Sequence, residues 1–466
     1  MQAAGHFMSQ RFSNASVPAF VVCAALRGLL LCLPALADAP QSTRPAVTAF
    51  VNVSVLPMDT NRVLRHHTVL VRGGRIAAIG PSIPVPADAR VVDGHGRAYL
   101  SPGLADMHVH SDTAEDMKVF LANGVTSVLN MGHASEGFMD QVRPAINGGE
   151  LPGPHVYVGL LVDGSPQFGN LFVTTPAEAR AIVDIAKTNG YDFIKVYNDI
   201  DADIYDTIIA TAREVRLPVI GHVAFVKGLA GALAAKQDSI EHLRSYDFAA
   251  DTRASPPGKR FEGWLHTTPA RMREMAERTA AADVWNVPTL VTESGIYPDG
   301  ETAPAPDLGG LPGWFDRQLR ADTMASVFTN EQRTAIKNGA PMRQAFVAAL
   351  DRAGAKLMTG TDTPVLQLVP GRSLLREIEL FVEGGVSNLR ALQCATVRAA
   401  EFLGRQDRIG TVEVGKDADL LLLNADPLAD IGALHQQAGV MTAGRWLSPE
   451  ALKATVTGFD LAAAAD

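Results

Sequence analysis

Apolar and polar residues alternate with a short period at both ends of this chain and with a mixed strand-and-helix rhythm between them. Val47-Thr-Ala-Phe-Val-Asn-Val53, Thr68-Val-Leu-Val-Arg72 and Arg75-Ile-Ala-Ala-Ile79 predict strands, punctuated by Gly73-Gly74 and the proline-rich stretch from Pro81 to Pro86. The pattern returns in Gly410-Thr-Val-Glu-Val-Gly415, Ala418-Asp-Leu-Leu-Leu-Leu423 and Gly439–Trp446. Neither end carries enough apolar residues for a core of its own, so residues 45–100 and 405–450 are expected to pair into one small β-sandwich domain.

Between them, residues 101–404 alternate strands with helices. The strand-like runs are Leu100–His108, Ser127–Met131, His155–Gly159, Phe193–Tyr197, Pro218–His222, Ser239–His242, Pro288–Val291 and Lys356–Gly360. A helix is predicted from Pro176 to Asn189, because Thr175 and Glu178 form a capping box, Pro176 suits the first turn and Gly190 follows the end. Others are expected at 227–236, at Pro269–Ala282, and from Ser387 to just before Gly404. Eight repeated βα units predict an α/β fold, a closed (β/α)8 TIM barrel of parallel strands. Residues 251–316, rich in Pro, Gly, Asp and Thr, break the rhythm and predict long loops on one face of that barrel.

The 466 residues are 47% hydrophobic and 20% charged, an ordinary globular balance. The net charge of −9 and the lack of a Lys/Arg cluster argue against nucleic acid or an anionic membrane as partner. Arg11, the apolar run Val17–Ala35 and the small-x-small step Ala35-Leu36-Ala37 predict a cleaved export signal over residues 1–37, hence a periplasmic or secreted protein with no stable membrane span. Cys23 and Cys32 would leave with it, and Cys394 sits in an apolar helical pattern as a buried thiol.

Against this frame a set of polar residues stands at predicted strand ends. His108 and His110 are separated by one residue, so on a strand both imidazoles face one side and can grip one cation. Lys195 lies inside an otherwise apolar strand and must be paired, end-exposed or chemically changed; added CO₂ would make it a carbamate with two oxygens for bridging metals. His222 and His242 end consecutive strand-like runs and hold equivalent places. Asp362 follows the last strand, where a carboxylate reads as catalytic. His133, His155, His266 and Tyr297 are candidate substrate contacts, and Arg372 and Arg376 could hold a substrate carboxylate.

Together these motifs resemble the amidohydrolase superfamily: Ser101-Pro-Gly-Leu-Ala-Asp-Met-His-Val-His110, Phe193-Ile-Lys-Val196, His222, Ser239-Ile-Glu-His242, Gly360-Thr-Asp362 and Gly410-Thr-Val-Glu-Val-Gly-Lys-Asp-Ala-Asp-Leu420. The nearest branch looks like the imidazolonepropionase-related, prolidase-like group. The resemblance implies two divalent metal ions, zinc first. His108, His110 and Asp362 would hold one and His222 and His242 the other, with carboxylated Lys195 bridging and Asp362 as general base. It implies an amide or peptide hydrolase, dipeptidase-like or an N-acyl amino-acid amidase, acting on a small molecule or short peptide. A mononuclear cyclic-amide hydrolase, a deaminase and a lactonase or esterase are the rival readings; a non-catalytic binding protein on the same scaffold is disfavoured because all six candidate ligands are present. The chain departs from its relatives at Asn130, where they carry Arg, after His155, where Gly-Gly-His is missing, and at Val223-Ala-Phe225 after His222. Self-association is left open.

Overall fold

Three sheets carry the chain in the computed structural model, which describes residues 47–166, 171–253, 260–298 and 328–457. The proposed export signal lies outside the described residues, as does much of the loop-rich stretch between 254 and 327. Among the described residues no helix is long and apolar enough to cross a membrane.

The two chain ends meet in the first sheet. Its N-terminal strands are β1 (Val47–Val55), β2 (Leu64–Arg72), β3 (Arg75–Gly80), β4 (Arg90–Asp93) and β5 (Tyr99–Pro102). The next six strands are β6 (Leu104–Val109), β7 (Val125–Asn130), β8 (His155–Asp163), β9 (Leu171–Phe172), β10 (Phe193–Val196) and β11 (Val219–Gly221). β12 (Ser239–Glu241), β13 (Trp285–Val287) and β14 (Lys356–Leu357) follow, then β15 (Leu420–Leu423), β16 (Gln437–Thr442) and β17 (Arg445–Leu447). The first sheet has eight strands in the order β17-β16-β15-β5-β1-β2-β3, with β4 also on β1. The seam between the chain ends is β5 against β15, antiparallel, with Leu100 opposite Leu422. Phe50, Val69, Leu100, Leu420, Met441 and Trp446 bury one shared apolar cluster there. The β16–β17 turn, Ala443-Gly444, has both residues at positive φ (47° and 71°), the geometry that matches the twist of a two-residue hairpin.

The other two sheets are parallel: β11-β10-β8-β7-β6 (β9 also on β8) and β12-β13-β14. Helices return the chain between many of these strands, as parallel pairing requires. Thr175 caps the helix Pro176–Thr188 through the capping box with Glu178. Met107, Leu129, Phe193, Ile220, Trp285 and Met358 come from strands or strand ends of both parallel sheets and pack in one cluster. Backbone bonds also join the two sheets: Asp238 N–H to Val219 O at 2.8 Å, and Thr361 N–H to His108 O at 3.1 Å.

Three predicted elements differ. The run Pro288–Val291 is not a strand; β13 ends at Val287, and Leu290–Ser294 is helical. Pro288 has no N–H for a ladder, and Thr289 turns the chain at φ 46°. Thr411–Val414 forms no strand, though Ile76 N–H still reaches Lys416 O at 2.9 Å and Ala418 N–H reaches Gly74 O at 2.8 Å. The helix after Ser387 is two helices, Asn388–Cys394 and Val397–Phe402, broken at Thr396, whose hydroxyl back-bonds to Leu392 O at 2.8 Å.

Candidate metal centre

The C-terminal ends of the parallel strands supply the site. β6 delivers His108, fully buried, and His110 just past its end. Beyond β14 the segment Gly360-Thr-Asp362 lies directly against this strand, because Asp362 N–H donates to His108 O at 2.7 Å and His110 N–H to Thr363 O at 2.7 Å. Asp362 is held at φ 69°, a conformation an aspartate tolerates better than most residues. The fold therefore brings two residues separated by one position in the chain to one that is 252 positions beyond His110. Asp362 Oδ1 sits 3.2 Å from His108 Nε2 and 3.3 Å from His110 Nε2.

Lys195 comes in from β10, completely buried, with its Nζ 3.5 Å from His108 Nε2. No carboxylate lies within 4.0 Å of it among the described residues. Burial first, against the pull of Glu241 and Asp362, lowers its pKa to about 8. His222 follows β11 and His242 follows β12, and their rings lie 5.0 Å apart. The His242 ring is 4.4 Å from that of His108. All six residues singled out by the motifs thus lie in one cluster.

Each imidazole is oriented by a partner on its other nitrogen. His108 Nδ1 lies 2.7 Å from Glu241 Oε2, and His110 Nδ1 lies 3.2 Å from Gly132 O. His222 Nδ1 lies 2.9 Å from Asn198 Oδ1, and His242 Nδ1 lies 2.6 Å from Thr289 Oγ1. Glu241 itself is fully buried and takes the Ser239 hydroxyl at 2.5 Å. Asp106, also fully buried, accepts from the Thr361 hydroxyl at 2.7 Å and Thr361 N–H at 3.0 Å, tying β6 to the Gly360–Asp362 segment. Burial pushes Asp106 up to about 7. Asn130 bridges Ser111 O and Gly132 N–H, both at 2.9 Å.

The electrostatics suit cation binding. Burial, then the charges of Arg244 and Lys195, holds His222 well below its usual pKa. Burial does the same to His242 and, less strongly, to His110. These shifts favour the neutral ring, the form that coordinates metals. Burial would raise the Asp362 carboxyl, but His242, His108 and His110 outweigh it and hold it well below the carboxylate range. The ligand atoms of His108, His110 and Asp362 all lie within 4.8 Å of one another, a donor set that fits a divalent ion.

The cluster opens into a cavity of about 470 Å³, lined on its polar side by His110, His133, Tyr197, Asn198, Arg244 and Asp362 and on its apolar side by Phe225, Phe248, Phe261 and Trp264. His133 is therefore in the cavity wall, with its ring 5.7 Å from that of His110. The other candidate contacts lie elsewhere. His155 opens β8 at the strand end remote from the site, packed on Tyr157 at 4.9 Å. Neither His266, at the end of the short helix Glu262–His266, nor Tyr297, under Lys337 Nζ at 5.9 Å, lines the cavity. Arg376 pairs with Glu379 and Glu383 at 3.0 and 2.5 Å, and neither it nor Arg372 lines the cavity. Sequence reasoning passed over Glu241, Asp106, Asn198, Thr289 and Arg244. The acids carried a legible signal, since a carboxylate inside an apolar strand must find a partner.

The sequence model of the amidohydrolase family matches residues 99–447. The chain is 25% identical over 397 residues to an adenine deaminase of Ruegeria sp. (strain TM1040), covering 84% of this chain but only 56% of that relative's length. It is 24% identical over 428 residues to an imidazolonepropionase of Ralstonia nicotianae, covering 86% of this chain and 97% of the relative. The fold is similar to the crystal structure of a Xaa-Pro dipeptidase with bound methionine in its active site, with a TM-score of 0.65, 20% identity and coverage of 86% and 100%. With three quarters of its length matched and the motif residues gathered at one site, the chain belongs to the amidohydrolase family.

Proposed function

We propose that this protein is a metal-dependent hydrolase of amide or peptide bonds, dipeptidase-like or an N-acyl amino-acid amidase. The observation that carries the reading is the convergence of four histidines, one lysine and one aspartate in one cluster, of which His110, His222, His242 and Asp362 line the cavity. We read the parallel strands as a closed (β/α)8 barrel, supported by the backbone bonds from β6 to the segment after β14, and the paired chain ends as a β-sandwich domain.

His108, His110 and Asp362 would hold one divalent ion and His222 and His242 a second, zinc being the first expectation. When bound, such ions act as Lewis acids on the scissile carbonyl and make water a stronger nucleophile. Lys195 is proposed to bridge them as a carbamate. Its neutral amine attacks CO₂, an N–C bond forms, and one proton leaves to solvent. A buried ammonium without an ion-paired carboxylate favours that exchange of charge. Asp362, ionised at the cavity floor, takes the proton from the attacking water and passes it to the leaving amine nitrogen. Asn198, Thr289 and Glu241 hold the imidazoles in place. Phe225, Phe248, Phe261 and Trp264 offer the substrate apolar surface.

The test is metal analysis together with a substrate screen. Reconstituted protein should hold two ions, and Lys195→Ala should lose at least one. One tight ion in both proteins would favour the mononuclear rivals. Asp362→Asn should lower kcat on dipeptides and N-acyl amino acids by about 10²- to 10⁴-fold, the range for a lost acid–base group. Equal turnover by the variant would remove the proposed base, and ammonia release from aminopurines would point to deamination instead. Export is a separate proposal resting on Val17–Ala37; N-terminal sequencing of the mature protein tests it.

A further inference from the structure

We infer that Arg244 reads a free carboxylate on the substrate and so restricts this enzyme to substrates with an amino-acid carboxylate beside the scissile bond. The inference rests on the hydrolase reading above. Arg244 lies two residues beyond His242, in a turn whose backbone is left-handed at His242, Leu243 and Ser245 (φ 58°, 49° and 66°). Such backbone is costly for residues other than glycine, and it sets the arginine into the cavity wall beside His242, Asp362, Tyr197 and Asn198.

The guanidinium keeps one unsatisfied donor. Its Nε is buried and has no hydrogen-bond partner among the described residues. Acids that share the cavity wall have other hydrogen-bond or ion-pair partners, Asp199 Oδ2 accepting from the Ser165 hydroxyl at 3.4 Å. Asp247 accepts the Phe261 N–H at 2.9 Å, and Glu293 pairs with Arg343 Nε at 2.8 Å. A buried donor without a partner is expensive to keep, and a fold retains it most readily where a ligand supplies the missing acceptor.

The chemistry selects the ligand. A guanidinium presents a planar fork of donors that matches both oxygens of a carboxylate. Asp199, Asp247 and Glu293 also line the cavity, so a singly charged anion fits better than a phosphate dianion. The other cation in the wall, Arg260, lies over the Phe261 ring at 4.5 Å. The apolar surface of Phe225, Phe248 and Trp264 is left for the side chain or acyl group. The substrate class is therefore N-acyl amino acids or dipeptides with a free C-terminal carboxylate.

The experiment compares N-acetylphenylalanine with its C-terminal amide on the full, metal-reconstituted chain. Turnover is measured together with equilibrium binding by calorimetry. Wild type should favour the acid by at least about 30-fold in both readouts, from charge-assisted bonds lost with the amide. In Arg244→Gln the acid-to-amide ratio should fall to within about threefold of unity, and Arg244→Lys should restore part of it. A wild-type ratio near unity overturns the inference. So does a ratio that survives Arg244→Gln, even if hydrolysis is confirmed. If neither compound is turned over but the acid still binds with an Arg244-dependent preference, the anion site stands and the hydrolase reading fails. The lysine variant keeps the test valid should the glutamine variant not fold.

Discussion

Glu241 reaches His108 Nδ1 at 2.7 Å from inside the protein, with neither side chain exposed. Its part is to hold the ring so that Nε2 faces Asp362. Glu241→Gln keeps the shape but weakens that hold, and metal affinity should drop by about 10- to 100-fold, measured by competition with a chromogenic chelator. A second buried acid, Glu377, accepts the Val291 N–H at 2.7 Å and leaves its Oε1 without a partner. Burial raises its pKa from 4.5 to about 8. The folded protein therefore keeps a proton that the unfolded chain releases, and this contribution to stability declines as pH rises from 4.5 to about 8. Glu377→Gln removes the titration. Its Tm should gain on wild type steadily across that window and level off above it; a gap independent of pH would refute the assignment.

The elements place chemistry both at their ends and along their length. Lys195 sits mid-strand in β10, and the backbone of Gly221 in β11 passes close beside it. A Cβ at Gly221 would lie 2.3 Å from Val196 O and 2.6 Å from Lys195 Cδ, at a φ of 121° that only glycine adopts readily. Gly221→Ala should therefore displace Lys195 as well as strain the strand, costing about 1–3 kcal/mol by overpacking. The check is a lowered Tm together with metal content below that of wild type. Periodicity marked most of the parallel strands correctly, since a strand buried on both faces reads as a short apolar run. It misjudged Pro288–Val291, where the apolar pattern suits strand and helix alike and local backbone geometry decides.

At the scale of the whole molecule, the chain ends depend on each other. Trp446 packs edge-on against Phe50 with ring centroids 5.1 Å apart, joining β17 to β1 across almost the full sequence. Trp446→Ala should cost about 3–5 kcal/mol, as large-to-small changes in a core do, and urea denaturation would measure it. Loss of stability without loss of metal would show that the shared sheet supports the fold and not the ions. A concurrent loss of both would tie the sheet to the strand β6 that follows β5 directly.

Local spacing was enough to identify His108 with His110, the capped helix after Thr175, and a lysine too costly to bury unpaired, because periodicity, capping and burial cost are carried by neighbours in the chain. The family followed from such motifs in order. Only the tertiary structure decided that Glu241 aligns His108, that Arg244 and not Arg372 or Arg376 enters the cavity, and that His155 stands at the far end of its strand. Those outcomes depend on which distant backbone passes beside each residue, and contacts between remote segments leave no period in the sequence.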